Sequence, residues 1–217
     1  MKIIDPGFEI LTPLDGDAIL KHIERCGRVC YKSEDKIMPD SAEKFVGGLI
    51  KSGHESVLEH YSVSVLFIVD RGISHEIVRH RIASYSQEST RYCNYSNGKF
   101  DEQITVVKPF YLDANDDPKF TYYRWYSTCY DAEVAYLKLL ERGCTPEQAR
   151  AVLPNSLKTE LVMTANLREW RHFFKLRCSK AAHPQMREIA TRVLLRLAAE
   201  IPVVFDDLAG AAINQSL

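Results

Sequence analysis

No apolar run in the 217-residue chain approaches the roughly 18–20 residues that span a bilayer. The opening Met1-Lys-Ile-Ile-Asp-Pro6 has neither an apolar stretch nor a small-residue cleavage site, so it does not read as a secretory signal. A cytoplasmic protein without membrane association is expected. Net charge is nearly absent: 28 Lys and Arg stand against 29 Asp and Glu, a formal −1, so no global field draws the chain to nucleic acid or an anionic surface. Any anion binding must come from local clusters. The six cysteines (Cys26, Cys30, Cys93, Cys129, Cys144 and Cys178) contain no Cys-x-x-Cys pair, which excludes a zinc ribbon and a thioredoxin-type motif and leaves reduced thiols as the expectation.

Several catalytic motifs are also missing. There is no Gly-x-Gly-x-x-Gly after a strand and no Gly-Lys-Ser/Thr loop, so a dinucleotide of the Rossmann type or a P-loop nucleotide is not expected. There is no Gly-x-Ser-x-Gly elbow, and no cysteine stands at a helix start or beside a histidine, so covalent nucleophilic catalysis has no evident author. His54-Glu55-Ser-Val-Leu-Glu59-His60 resembles a zincin motif at a glance. Its histidines are six residues apart rather than four, about 240° around a helix, and no metal is expected.

What is present reads as one globular domain over 1–217, because 46% hydrophobic residues suffice for a core and no repeat, low-complexity tract or linker divides the chain. Apolar spacing predicts helices over 15–33 and 41–52, the second with Ser41 as N-cap. Tyr61 to Val69 alternates and is rich in β-branched residues, a strand ended by Asp70-Arg-Gly72. A short helix is expected over 73–81, with irregular chain from Ser84. A second strand is expected over 104–107 and a polar turn over 113–118. A long helix over 119–142 is closed by Gly143, and Thr145-Pro146-Glu147 opens another that Pro154 halts. A third strand is expected over 157–165, then helices over 167–178 and 184–201. Strands interleaved with helices, too few for a parallel sheet, imply an α+β fold with a single sheet flanked by helices.

Two basic concentrations stand out. Arg79-His80-Arg81 is followed within ten residues by Ser84, Ser86, Gln87, Ser89 and Arg91. Guanidinium forks and short hydroxyl donors suit a phosphorylated ligand. On a helix, residues two apart diverge by about 200°, so Arg79 and Arg81 would serve different partners. The alternative is a helix end where arginines meet exposed carbonyls, followed by a solvated loop. Between Asn166 and Arg192 seven Lys and Arg face only Glu169 and Glu188, and Arg168, His172 and Lys175 share one helical face while Arg177 lies on another. A charged solvent face would look similar. A nucleic-acid-binding module, with Tyr85, Tyr92 and Tyr95 for stacking, is the rival reading, and the balanced charge argues against it.

The run Arg79-His80-Arg81 with Ser84, Ser89 and Arg91 resembles the signature of flavin-dependent thymidylate synthases. The likeness extends through Gly53-His-Glu-Ser-Val-Leu-Glu-His60, Ala149-Arg150-Ala-Val-Leu-Pro154, Asn166-Leu-Arg168 and His172-Phe-Phe-Lys-Leu-Arg177. The resemblance implies conversion of dUMP to dTMP with the one-carbon unit from methylenetetrahydrofolate and the hydride from FAD reduced by NADPH, in a homotetramer with FAD held where subunits meet. By matched position it implies FAD contacts from His54, Ser56, Arg79, His80, Arg81, Gln87, Asn166, Arg168 and His172. It implies dUMP contacts from Glu76, Arg79, Gln87, Glu88, Ser89, Arg91, Arg150 and Arg177, with Arg177 as the catalytic residue that stabilises negative charge on the uracil ring. Ser89 is then a ligand-binding hydroxyl. Two positions depart from the family pattern: Glu76 is Gln in some relatives, and Ser86 stands where many have Asn. A protein of the same fold that binds flavin or nucleotide but has lost methyl transfer is the second alternative.

Overall fold

The computed structural model describes residues 1–115 and 119–216. Its elements, in chain order, are β1 (Lys2–Ile4), β2 (Gly7–Ile10), α1 (Gly16–Arg28), α2 (Ser41–Lys51), β3 (Ser62–Asp70), α3 (Arg71–Ile77), β4 (Ser84–Gln87), β5 (Thr105–Val107), α4 (Thr121–Glu141), α5 (Pro146–Ala149), β6 (Lys158–Asn166), α6 (Leu167–Arg177), α7 (Pro184–Glu200) and α8 (Pro202–Ser216). The mixed α and β composition agrees with expectation. The single sheet does not: among the described residues there are two, a parallel pair β1-β5 and a four-stranded sheet in the order β2-β3-β6-β4. The small sheet arises from segments too short to show a period of two, with Ile3 paired to Val106.

The chain forms two compact units. The first comprises residues 1–7, 67–79 and 85–162; the second comprises 8–66, 80–84 and 163–217. In the first, Tyr95, Ile104, Val106, Cys129, Tyr136 and Leu157 form a buried cluster. Helix α4 supplies Cys129 and Tyr136 from one face, and Gly143 ends the helix region with φ +87°, a backbone that an L side chain rarely adopts. Thr145 and Gln148 form the reciprocal capping box that starts α5, as the Thr-Pro pattern predicts.

In the second unit, α6 and α7 bury Trp170, Phe173, Phe174, Met186, Ile189 and Val193, while α8 adds Val204 and Phe205. Each aromatic ring taken from water contributes on the order of 2–3 kcal/mol, so this stripe stabilises the unit substantially. The Arg171 guanidinium is buried beneath it, bonded to Asp207 at 2.7 and 2.8 Å, to Glu55 at 3.2 Å and to the Val204 carbonyl. The long strands bury alternate residues: Val63 and Val65 of β3, Met163 and Ala165 of β6 in this unit, and Phe67, Val69, Thr159 and Leu161 in the other.

Local differences from expectation have physical causes. Asp40, not Ser41, precedes α2; Ser41 is the first helical residue, and its hydroxyl donates to both carboxylate oxygens of Glu24 at 2.8 Å. Helix α3 starts earlier than expected because Asp70 caps it, accepting from Ile73 N at 2.7 Å, and it ends at Ile77 with Val78 as C-cap. Arg79, His80 and Arg81 therefore lie beyond the helix, and the helical divergence expected for the two arginines does not apply. The segment after Ser84 is strand β4 rather than irregular chain. A further helix, α8, follows α7 and begins with Pro202 at its first position, where the missing N–H costs nothing. Of the polar turn expected over 113–118, residues 116–118 lie outside the described residues; the rest is a bend in which Asn115 N donates to Asp113 Oδ1. All six cysteines are free thiols.

Candidate active site

The expected ligand residues divide between the two units. The second holds His54, Ser56, His80, Arg81, Asn166, Arg168 and His172 from the flavin set, together with Arg177. The first holds Glu76, Arg79, Gln87, Glu88, Ser89, Arg91 and Arg150. The boundary falls within the basic triplet, between Arg79 and His80.

In the second unit a cleft of about 500 Å³ is lined by Asn166, Arg168, Glu169, His172 and Lys175 together with Glu55, Glu59 and Ile82. Asn166 caps α6, its side chain accepting from Glu169 N at 2.9 Å, and so fixes where the helix face starts. The steps of four and three residues place Arg168, His172 and Lys175 on that face, as the sequence predicts. Acids neutralise the cations: Glu59 meets Arg168 at 2.5 Å, and Glu55 meets Arg171 at 3.2 Å and Lys175 at 3.7 Å. His54 and Ser56 lie exposed at the start of the 3-10 helix Glu55–His60, and neither lines this cleft.

His80 and the cleft-lining Glu169 are both largely buried, with His80 Nδ1 3.2 Å from Glu169 Oε1. On the other side of the ring, Arg177 Nε donates to His80 Nε2 at 3.0 Å. Burial first, then the charge of Arg177 and the neighbouring His172, hold the His80 pKa down at about 4. The hydrogen-bond pattern agrees, because an imidazolium would set an N–H against the Arg177 N–H. Burial raises the Glu169 carboxyl above its ordinary range, with His172 opposing. His80, Glu169 and His172 offer donor atoms within 4.8 Å of one another, a spacing that could suit a cation. Both ring nitrogens of His80 are already engaged, however, so the trio reads as a hydrogen-bonded group.

The first unit carries a smaller cavity, about 260 Å³, between Arg71, His75, Thr90, Arg150, Pro154 and Asn155. Arg150 Nη1 donates to Thr90 Oγ1 at 3.4 Å. Arg71 Nη1 is buried without a hydrogen-bond partner, a costly condition for a charged donor that an anion in the cavity would relieve. Gln87 is held by Ser74 Oγ at 2.9 Å and Thr159 Oγ1 at 3.2 Å. Glu88 is tied down by Tyr95 at 3.1 Å and Lys158 at 2.9 Å, so its carboxylate is spent inside the protein. Ser89 Oγ accepts from Arg91 N, and Arg91 pairs with Glu147 at 2.8 Å. Glu76 is half-buried and Arg79 exposed.

Sequence reasoning missed Arg71, His75 and Thr90 in the cavity, and Glu55, Glu59 and Glu169 in or beside the cleft. The acids had a signal: Glu55 and Glu59 are four apart, and Glu169 is three before His172. Arg71 had none, since it looked like a strand terminator.

The fold thus gathers Arg168 and Lys175, paired with acids, at one site and Arg71 and Arg150 at the other. The sequence pattern of the thymidylate synthase complementing protein family matches residues 17–203, and the chain belongs to that family. It is 38% identical to a flavin-dependent thymidylate synthase of Mycolicibacterium gilvum over 221 residues, covering 93% of this chain and 84% of that protein. It is 33% identical to a protein of the same name from Geobacter sulfurreducens over 204 residues, covering 88% of this chain and 85% of the relative. Among solved structures, a UMP/dUMP methylase, PolB from Streptomyces cacaoi bound with 5-Br dUMP, is similar in fold, with a TM-score of 0.77, 22% identity, and coverage of 95% and 96%.

Proposed function

We propose that this chain converts dUMP to dTMP as a flavin-dependent thymidylate synthase, with methylenetetrahydrofolate as carbon donor and NADPH as reductant. The names of relatives 33–38% identical over most of their length support the reaction class. The observation that carries it to this chain is the cavity where Arg71, with its unpartnered buried Nη1, and Arg150 stand ready for a phosphate. The family match runs through segments of both units, which supports one functional domain over 1–217.

The residues fit a flavin. The second unit's cleft has the volume of a ligand pocket, roughly 300–1,000 Å³, and offers an amide, a guanidinium, an imidazole and an ammonium along one helix face. Asn166, Arg168 and His172 would hold FAD there; His54, Ser56, His80, Arg81, Arg79 and Gln87 do not line this cleft and belong to the proposed flavin set through the family resemblance alone. FAD would supply the reducing hydride, and NADPH would restore it. Arg71 and Arg150 would bind the dUMP phosphate, with Glu76, Arg79, Gln87, Ser89 and Arg91 completing the nucleotide set and Glu88 contributing through its backbone.

Uracil C5 is a weak nucleophile. An enzyme without a thiolate to attack C6 raises its electron density by stabilising negative charge on the ring. Arg177 would do this, since a preoriented cation in a water-poor site is worth several kcal/mol to a developing anion. Its Nε is committed to His80, which sets the plane of the guanidinium. No side chain need become covalently modified.

Exposed Tyr123, Tyr126 and Tyr130 recur along α4 and support burial against another copy, as in a homotetramer. No helix among the described residues is long and apolar enough to cross a membrane, which supports a cytoplasmic site of action. The experiment is spectroscopic: purified protein reconstituted with FAD should bleach with NADPH and reoxidise faster when dUMP and methylenetetrahydrofolate are both added. Bleaching without that acceleration would assign the chain to flavin binding without methyl transfer.

A further inference from the structure

Helix α6 places Glu169, Phe173 and Arg177 at successive four-residue steps, so all three lie along one face. The His80 ring sits on this stripe: Glu169 Oε1 is 3.2 Å from Nδ1, the Phe173 ring centroid is 4.8 Å away, and Arg177 Nε is 3.0 Å from Nε2. His172 closes another side at 5.8 Å between centroids.

The donors fix the protons. An arginine Nε–H can only donate, so His80 Nε2 must present a lone pair, and a neutral ring must then carry its proton on Nδ1. Free histidine in water prefers the opposite tautomer. Glu169, itself anchored through its backbone N–H to Asn166 Oδ1 at 2.9 Å, is the acceptor placed to reverse that preference.

We propose that Glu169 is a positioning residue for methylation: by accepting the Nδ1 proton it holds His80 in the Nδ1–H tautomer, and the Nε2 lone pair thereby aims the Arg177 guanidinium. The inference rests on the function proposed above. Glu169 also lines the cleft proposed for FAD, and its role here runs through His80 rather than through a reacting atom. Without it the imidazole is released to the Nε2–H form, which repels the Arg177 N–H and lets the cation swing. A displacement of about 1 Å in a group that stabilises charge can cost up to about 100-fold in rate.

The test compares Glu169→Ala with Glu169→Gln in FAD-reconstituted protein. The amide carbonyl of Gln still accepts from Nδ1–H, so rescue by Gln separates tautomer control from charge and bulk. At saturating FAD, turnover of 5-tritiated dUMP should fall about 10- to 100-fold in Glu169→Ala, with KM for dUMP within about twofold, and should recover to within about threefold in Glu169→Gln. Nitrogen-15 spectra of histidine-labelled protein, with His80 assigned by His80→Gln, should show its proton on Nδ1 in the wild type and in Glu169→Gln. Glu169→Ala retaining more than half the wild-type kcat, or a wild-type His80 protonated on Nε2, overturns the proposal. Should Glu169→Ala fail to fold, Glu169→Gln and the wild-type spectrum decide it: a Gln variant as impaired as 100-fold refutes tautomer control. A wild-type protein that bleaches but never releases tritium refutes the functional reading instead, and the tautomer signal, which needs no turnover, still judges the relay.

Discussion

Replacing Arg177 by Ala should separate chemistry from flavin handling. The side chain is half-buried at the end of α6, and its Nε is held 3.0 Å from His80 Nε2. Losing one preoriented donor to a developing oxyanion costs about 2.7–4 kcal/mol, or about 100- to 1,000-fold in kcat. Arg177→Lys keeps the charge but loses the planar fork and the Nε–H that His80 grips, so it should lie between Ala and wild type. Two assays read the split: tritium release from 5-tritiated dUMP for the chemical step, and flavin bleaching by NADPH for cofactor reduction. The second should fall far less than the first, although the variant also removes the hydrogen bond to His80 Nε2, a residue of the proposed flavin set. The variant also removes the cation that helps keep the His80 pKa down at about 4, so that pKa should rise toward the ordinary 6.5 in a proton NMR titration. An Arg177→Ala protein that releases tritium at more than a tenth of the wild-type rate would refute the electrostatic argument, and one that also lost bleaching would show the residue to be structural.

Other consequences follow from single contacts. The unfolded chain takes up a proton at His80 below about pH 6.5 while the folded chain resists until about 4, so stability from this group is complete above 6.5 and falls as pH drops toward 4, by at most about 3 kcal/mol at 1.36 kcal/mol per pH unit. Urea unfolding at pH 7 and pH 4.5 should show this loss in the wild type and a smaller one in His80→Gln; equal losses would refute it. Gly16→Ala would put a Cβ 2.0 Å from the Glu200 carbonyl oxygen, a backbone clash that should cost about 1–3 kcal/mol or more, whereas Gly48→Ala in α2, with nothing within 4 Å, should gain about 0.5–1 kcal/mol. Paired thermal melts check both, and a Gly16→Ala protein as stable as wild type would contradict the packing. Arg71→Ala should weaken dUMP binding by about 10-fold or more by calorimetry while leaving deoxyuridine binding nearly unchanged, because in the proposed binding mode only the phosphate meets that cavity.

The long periodic segments were legible in the chain: β3, β6, α4, α6 and α7 fall within a few residues of expectation because apolar spacing and caps such as Asn166 and Thr145 act locally. The second sheet was not, because β1 and β5 are three residues each and pair across a hundred positions. Strand β4, Ser84-Tyr85-Ser86-Gln87, has one apolar residue in four and takes its conformation from pairing with β6 at the edge of the sheet. The same limit holds for the sites. Arg168, His172 and Lys175 share a helix face, so spacing alone placed them together. Arg71 and Arg150 are 79 positions apart and meet only through the fold, and Glu169 acquires its partner His80 in the same way. The expected role of Glu88 came from a pattern that does not show a carboxylate being consumed by Lys158 and Tyr95.

The proposed chemistry is tested most directly by incubating the purified chain with 5-tritiated dUMP while FAD, methylenetetrahydrofolate and NADPH are each withheld in turn. Tritium appearing in water together with dTMP when all are present, and no dTMP when the folate or the flavin is missing, is the predicted result. Undiminished dTMP formation without flavin, or none with the full set, would contradict it.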